Sequence, residues 1–202
     1  MQENLILIFT RNPELGKVKT RLAASIGDKN ALEIYRHLLE HTEKVVSKMA
    51  AAKRIMYSDE VNTDDIWDND RYQKQLQSGA DLGVRMKNAF KEGFVAGFKK
   101  AVIIGTDLHD LEVTDLEKAF EALEKNDIVI GPALDGGYYL LGLKFIPDGI
   151  FDNKNWGTNT VLSDTLMDIK ALKHTLLEVK NDIDTVNDIK EITAFKKYIP
   201  IL

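Results

Sequence analysis

There is no cysteine among the 202 residues of the chain. That excludes disulfides, thiolate metal sites and cysteine nucleophiles, and it suits a reducing, cytoplasmic setting. Prolines number only four, and 27 Lys+Arg against 32 Asp+Glu leave a net charge of −5. An acidic balance argues against non-specific nucleic-acid binding, whose affinity comes mostly from neutralising phosphates. No apolar run approaches the ~18 residues of a membrane span, and no secretory leader is read before the first strand-like run. Neither nucleic acid nor membrane is therefore an expected partner. Of four histidines, His37 and His41 share a helical spacing, but no third ligand is evident and no imidazole metal site is read. A P-loop and a GxSxG nucleophile elbow are also missing.

What remains is an ordinary globular composition, 44% hydrophobic and 29% charged, of a size that fits one domain over residues 1–202. Short apolar runs at Leu5–Phe9, Arg54–Tyr57, Ala101–Gly105, Asp127–Ile130 and Tyr138–Leu143 read as strands, with shorter candidates at Tyr72–Leu76 and Thr175–Val179. Between them lie helical patterns. A long one is capped by Asp28, and another starts at Ser78 or Asp81. A third covers Thr114–Leu123, with Thr114 and Glu117 spaced as a capping box. Two more open at Thr158 or Asn159 and run over Asp184–Phe195. Strands alternating with helices over the first 130 residues predict an α/β domain with a mostly parallel sheet. The closer spacing of the later strands predicts some antiparallel pairing.

In such sheets ligands bind beyond the carboxyl ends of the strands, which singles out three loops. The first, Thr10–Leu22, carries Arg11, Lys17, Lys19 and Arg21 against a single acid, Glu14. A basic loop entering a helix suits an anion; it could equally be a solvated turn at Gly16. The second, Gly105–Leu111, places Thr106 and Asp107 after a buried strand. Hard divalent cations take one or two carboxylates together with substrate phosphates, although Asp107 or Asp110 could also serve as a turn or helix cap. The third, Gly131–Tyr139, contains Asp135-Gly-Gly, which reads as a hairpin turn or as an acid–base group at an acceptor. A later acidic cluster, Asn181–Asp188, includes Asp184, a metal candidate or an N-cap.

Six blocks in this order resemble one family: Arg11–Leu22, Gly79–Met86, Ile104–Leu111, Gly131–Tyr138, Trp156–Thr158 and Asp182–Thr185. The chain resembles the DUF2064 group of glycosyltransferase-A-fold proteins, and is more distantly similar to molybdenum-cofactor and phospholactate guanylyltransferases. The resemblance implies a three-layer α/β sandwich with a Rossmann-like N-terminal half. It implies diphosphate near Arg11, Lys17, Lys19, Arg21 and Thr106, and Mg²⁺ or Mn²⁺ on Asp107 and, more weakly, Asp184. Asp135 would face the acceptor. Thr106 and His109 stand where the family usually has Ser and Pro, and Val186-Asn187 replaces Pro-Glu.

The leading expectation is a glycosyltransferase with a nucleotide-sugar donor and an unidentified small-molecule acceptor. The alternatives are a guanylyltransferase-like nucleotidyltransferase, taking a nucleoside triphosphate and a phosphorylated small molecule, and a non-catalytic nucleotide-binding protein. Self-association as a homodimer is left open.

Overall fold

The computed structural model describes residues 2–199. Seven strands form one sheet in the order β3-β2-β1-β4-β6-β5-β7. They are β1 Asn4–Thr10, β2 Ala52–Tyr57, β3 Gln73–Leu76, β4 Lys100–Ile104, β5 Ile128–Pro132, β6 Tyr138–Leu143 and β7 His174–Leu176. All adjacent pairs are parallel except the two that β6 makes, with β4 and with β5. The antiparallel pairing predicted for the late strands is therefore confined to one strand, and the Asp135 turn is the connection that reverses it.

Alternation along the strands sorts side chains to two faces. Ile6, Ile8, Val102 and Ile104 pack with Tyr35 and Leu39 of α2 (Asp28–Val46) and with Leu116 and Phe120 of α4 (Val113–Lys125). Leu5, Leu7, Ala101 and Ile103 pack with Met86 and Phe90 of α3 (Leu82–Val95). Leu162 and Leu166 of α5 (Val161–Asp168) close the same face. The result is the expected three-layer α/β sandwich. A third cluster joins α1 (Thr20–Ile26) and α2 to Ile183, to Ile189 of the short α6 (Val186–Ile189), and to Phe195 in a 3₁₀ segment, Thr193–Tyr198.

Several boundaries differ from expectation. Asp28 is the first residue of α2, and Gly27 is its N-cap at φ 82°. The capping box of α4 is Glu112 with Asp115, not Thr114 with Glu117. Leu111 and Leu116 are both buried in one cluster, so a hydrophobic staple sets the earlier start. The expected Asp184–Phe195 helix is broken at Ile192, which is extended, so that Ile189 and Phe195 both reach the third cluster. Strand β7 ends at Leu176, short of Val179.

Beyond β7 the chain crosses the strand ends. The Leu177 N–H donates to the Ile130 carbonyl (2.8 Å), Lys180 N–H to Pro132 (3.1 Å) and Ile183 N–H to Asp107 (3.0 Å). This crossing is closed by Asp188. One of its carboxylate oxygens accepts from the Asp184 and Thr185 N–H groups and the Thr185 hydroxyl; the other accepts from Asn181. Burial alone would raise the Asp188 pKa, but these donors hold it below the usual carboxylate range. Asp188→Ala is expected to cost about 1–3 kcal/mol, read by urea denaturation at pH 7. A loss under about 0.5 kcal/mol would show that the crossing does not depend on it.

Candidate functional site

Strand order reverses direction at β1, whose neighbours β2 and β4 lead to opposite halves of the sheet. Ligands of open α/β sheets bind at the carboxyl end of such a switch point. A cavity of about 680 Å³ opens there, and all eight residues singled out in the sequence line it: Arg11, Lys17, Lys19, Arg21, Thr106, Asp107, Asp135 and Asp184.

Their arrangement is specific. Lys19 caps α1 in the left-handed region (φ 49°, ψ 44°), a conformation costly for a side chain with a Cβ. Its ammonium lies 2.7 Å from Asp107, with the Lys19 side chain 7% exposed and that of Asp107 44%. Arg21 pairs with Asp184 at 2.8 Å, and Lys17 with Glu14 at 2.6 Å on the surface. The Arg11 backbone brackets the Tyr35 hydroxyl: its N–H donates to the oxygen (2.9 Å) and its carbonyl accepts from it (3.1 Å). The same hydroxyl lies 3.3 Å from the hydroxyls of Thr10 and Thr106. Burial and the Asp107 charge push the Tyr35 pKa up, so it stays a neutral bridge from α2 to the first two loops. Thr106 thus keeps its hydroxyl in use, although it is buried.

His109 packs its ring against His37, His41 and Phe195 at 5.0–5.8 Å. Side-chain packing from α2 and the 3₁₀ segment thereby steadies the loop after Asp107. Burial, then the neighbouring His41 and His37, lower the His109 pKa.

Asp182 was part of the acidic cluster but not singled out. It forms a backbone bridge with Leu108, beside Asp107. Burial first, then Asp135 and Asp107, raise its pKa to about 6, with Lys19 working the other way. A divalent cation would relieve this crowding. No group of three or more ligating side chains suited to a metal is found among the described residues. A cation here would have to take most of its ligands from substrate and water, and the Asp107 carboxylate is already paired with Lys19.

Three further residues, Tyr35, Arg85 and Trp156, line the cavity; Arg85 and Trp156 fall in two of the family-like blocks without a role readable from the sequence, and Tyr35 reads as core. Among the described residues Arg85 has no carboxylate partner. Its Nε donates to the Gly79 carbonyl at 3.1 Å, and Nη1 lies 3.4 Å from Gln77 Oε1. The Asp135-Gly-Gly turn is clamped from below: a Cβ on Gly136 (φ 88°) would lie 2.3 Å from the Asn159 carbonyl oxygen. The Asp135 carboxylate accepts from the Gly137 N–H at 2.8 Å.

Fold and site together define a nucleotide-diphospho-sugar-transferase-like α/β domain. The chain belongs to the family DUF2064, described as an uncharacterized protein conserved in bacteria, whose profile matches residues 41–158. It is similar to a protein of Desulfovibrio desulfuricans G20 provisionally assigned as a nucleotide-diphospho-sugar transferase. That likeness is 33% identity over 98% of this chain and 91% of the other, with a TM-score of 0.85. A cytidylyltransferase from Leptospira borgpetersenii shares the fold at 16% identity, covering 100% of this chain and 89% of that one, TM-score 0.60. So does the 4-diphosphocytidyl-2C-methyl-D-erythritol synthase of Anaerococcus prevotii, at 12% identity over 96% of each chain, TM-score 0.61. A search of curated proteins found no match. Among the described residues no helix is long and apolar enough to cross a membrane.

Two outcomes follow from the buried polar groups. A raised carboxylate pKa means the folded state holds its proton longer than the unfolded one, so Asp182 lowers stability as pH rises from 3.8 to about 6. Asp182→Asn should therefore unfold later than the parent at pH 8, by roughly 1–2 kcal/mol after solvent screening, with the gap closing at pH 4. Equal stabilities at pH 8 would show that the carboxylates do not crowd one another. Among the described residues the buried Tyr138 hydroxyl has no hydrogen-bond partner, and the Thr165 hydroxyl on α5 donates to the Val161 carbonyl. Tyr138→Phe should leave stability unchanged or raise it by up to about 1 kcal/mol, and a clear fall in urea midpoint would contradict that.

Proposed function

We propose that this protein is a divalent-cation-assisted transferase that binds a nucleotide sugar and passes its glycosyl group to a small-molecule acceptor. The observation that carries this reading is the pairing of the buried Lys19 with the half-exposed Asp107 at the sheet's switch point, with the other basic residues of the first loop on the same cavity. The similarity to the Desulfovibrio desulfuricans protein supports it.

Arg11, Lys17, Lys19 and Arg21 face the donor's diphosphate. Lys19 needs no rearrangement to do so, since its backbone and buried stem already hold the ammonium in place, and preorganised charge is what makes electrostatic stabilisation effective. As the bond from the anomeric carbon to the diphosphate oxygen breaks, its electron pair stays on the diphosphate. The acceptor hydroxyl oxygen bonds to the anomeric carbon, and its proton passes to Asp135, held on its clamped turn. Mg²⁺ or Mn²⁺ on Asp107 and Asp182 would supply Lewis-acid neutralisation of the leaving charge. Asp184, tied to Arg21, orients that guanidinium toward the phosphates.

A second reading, nucleotidyl transfer to a phosphorylated acceptor, is supported by the fold shared with the cytidylyltransferase and the synthase above. The same cations would hold a triphosphate, and the released product would be pyrophosphate instead of a nucleoside diphosphate.

Lys19→Ala should weaken binding of UDP or GDP by roughly ten- to hundredfold, the scale of a lost charge-assisted hydrogen bond. Asp107→Ala should remove the gain that Mg²⁺ or Mn²⁺ brings to that binding. Calorimetry with each nucleotide and its sugar conjugates, with and without metal, measures both. Unchanged affinity in the Lys19 variant, with an unchanged metal effect in the Asp107 variant, would remove the site from this cavity.

A further inference from the structure

The cavity is not uniform in charge. Its lining cations are Arg11, Lys17, Lys19 and Arg21 on the first loop and Arg85 on α3. The opposite wall is built from the β5–β6 turn and the segment leading into α5. It presents Asp135, Tyr138, Trp156, Thr158 and Val161, none of which can balance an anion.

Trp156 lies directly on α3. A Cβ at Gly83 would come within 2.6 Å of the indole ring, so only glycine lets the ring reach the helix backbone. A glycine in a helix costs about 1 kcal/mol relative to alanine, and here that position seats an aromatic plane. The segment that carries the ring is tied to the Asp135 turn: Asn159 touches Gly136, and the Leu162 N–H donates to the Gly136 carbonyl at 2.9 Å. Asp135 on that turn is thus followed by Trp156 on the adjoining segment, and both line the cavity.

From this order and from the charge of the wall, we infer that Trp156 is a stacking wall for a neutral, hydroxyl-bearing ring, a sugar carrying no phosphate of its own. The inference rests on the transferase reading above. A pyranose offers a face of C–H groups to the electron-rich face of an indole, and its hydroxyls can donate to Asp135 and exchange hydrogen bonds with Thr158. A phosphorylated ring at the same place would bring its charge toward Asp135 with no cation on the β5–β6 turn or on the segment leading into α5, while Arg85 of α3 is held by the Gly79 carbonyl and Gln77.

The chain has two tryptophans, and Trp67 is buried in the core. In a Trp67→Phe protein, emission therefore reports Trp156 alone. UDP, dTDP and GDP, with Mg²⁺, are compared with UDP-glucose, UDP-N-acetylglucosamine, dTDP-glucose and GDP-mannose. Thermal stabilisation is read in parallel. A nucleotide sugar should change the emission where its parent nucleotide, bound equally by thermal shift, does not. Gly83→Ala should weaken that nucleotide sugar about tenfold, the scale of one aromatic contact, and leave the nucleotide's affinity unaltered. Should Trp67→Phe not fold, the difference between the parent and Trp156→Phe reads the same signal.

Equal emission changes with nucleotide and nucleotide sugar would place the nucleoside on Trp156 and overturn the assignment. Thermal stabilisation by nucleotide sugars with no emission change would overturn it while leaving the transferase reading intact. Absence of stabilisation by any nucleotide or conjugate would overturn both.

Discussion

Bringing three carboxylates to one end of a sheet requires a counter-charge, and Lys19 supplies it from the inside. Asp107 follows β4, Asp135 sits on the turn between β5 and β6, and Asp182 arrives on the crossing segment after β7. Each is delivered by a different element, and each element's position follows from strand order. Without a nearby cation their mutual repulsion, in a setting less polar than water, would push the whole edge apart. The first loop answers this by forcing Lys19 into a left-handed backbone and burying its stem. The strain is local, and the packing of Val18 and Leu22 on either side holds the lysine in it.

That compensation is incomplete. Asp182 still has a raised pKa despite Lys19, through burial first and then the charges of Asp135 and Asp107. Functional sites commonly depart from the best-packed, best-paired arrangement in this way. A bound cation and an anionic diphosphate would settle the balance together: the cation offsets the carboxylates, and the diphosphate occupies the basic residues of the first loop. On the proposed reading the two would be thermodynamically linked, each binding better in the presence of the other.

Much of this arrangement was legible in the chain before folding. Buried strands announced themselves as short apolar runs, and the rule that ligands gather at strand carboxyl ends brought Arg11, Lys19, Asp107 and Asp135 together correctly. What the sequence concealed were contacts between distant segments. Asp182 reads like any residue of an acidic stretch until the pairing of Leu108 with it places it next to Asp107. Tyr35 falls on the apolar stripe of α2 and looks like core, since nothing local reveals that its hydroxyl meets two loops. The start of α4 was misplaced because a staple of two leucines outweighed the better capping residue. The break in the final helix reflects the demand that Ile189 and Phe195 share one cluster, which no local propensity encodes.

Charge segregation within the cavity bears on the choice between chemistries. Nucleotidyl transfer to a phosphorylated acceptor brings a second strong anion toward the reacting centre, and that anion needs its own cation near Asp135. The segments around Asp135 hold hydroxyls and an indole. Arg85, the cation furthest in sequence from the basic loop, has its Nε on the Gly79 carbonyl and one terminal nitrogen beside Gln77, where it steadies the approach to α3. A neutral acceptor hydroxyl, by contrast, asks the wall only for a proton acceptor and a surface on which to lie. The charge of this lining is thus what supports the glycosyl-transfer proposal over the nucleotidyl one, which the shared fold does not separate.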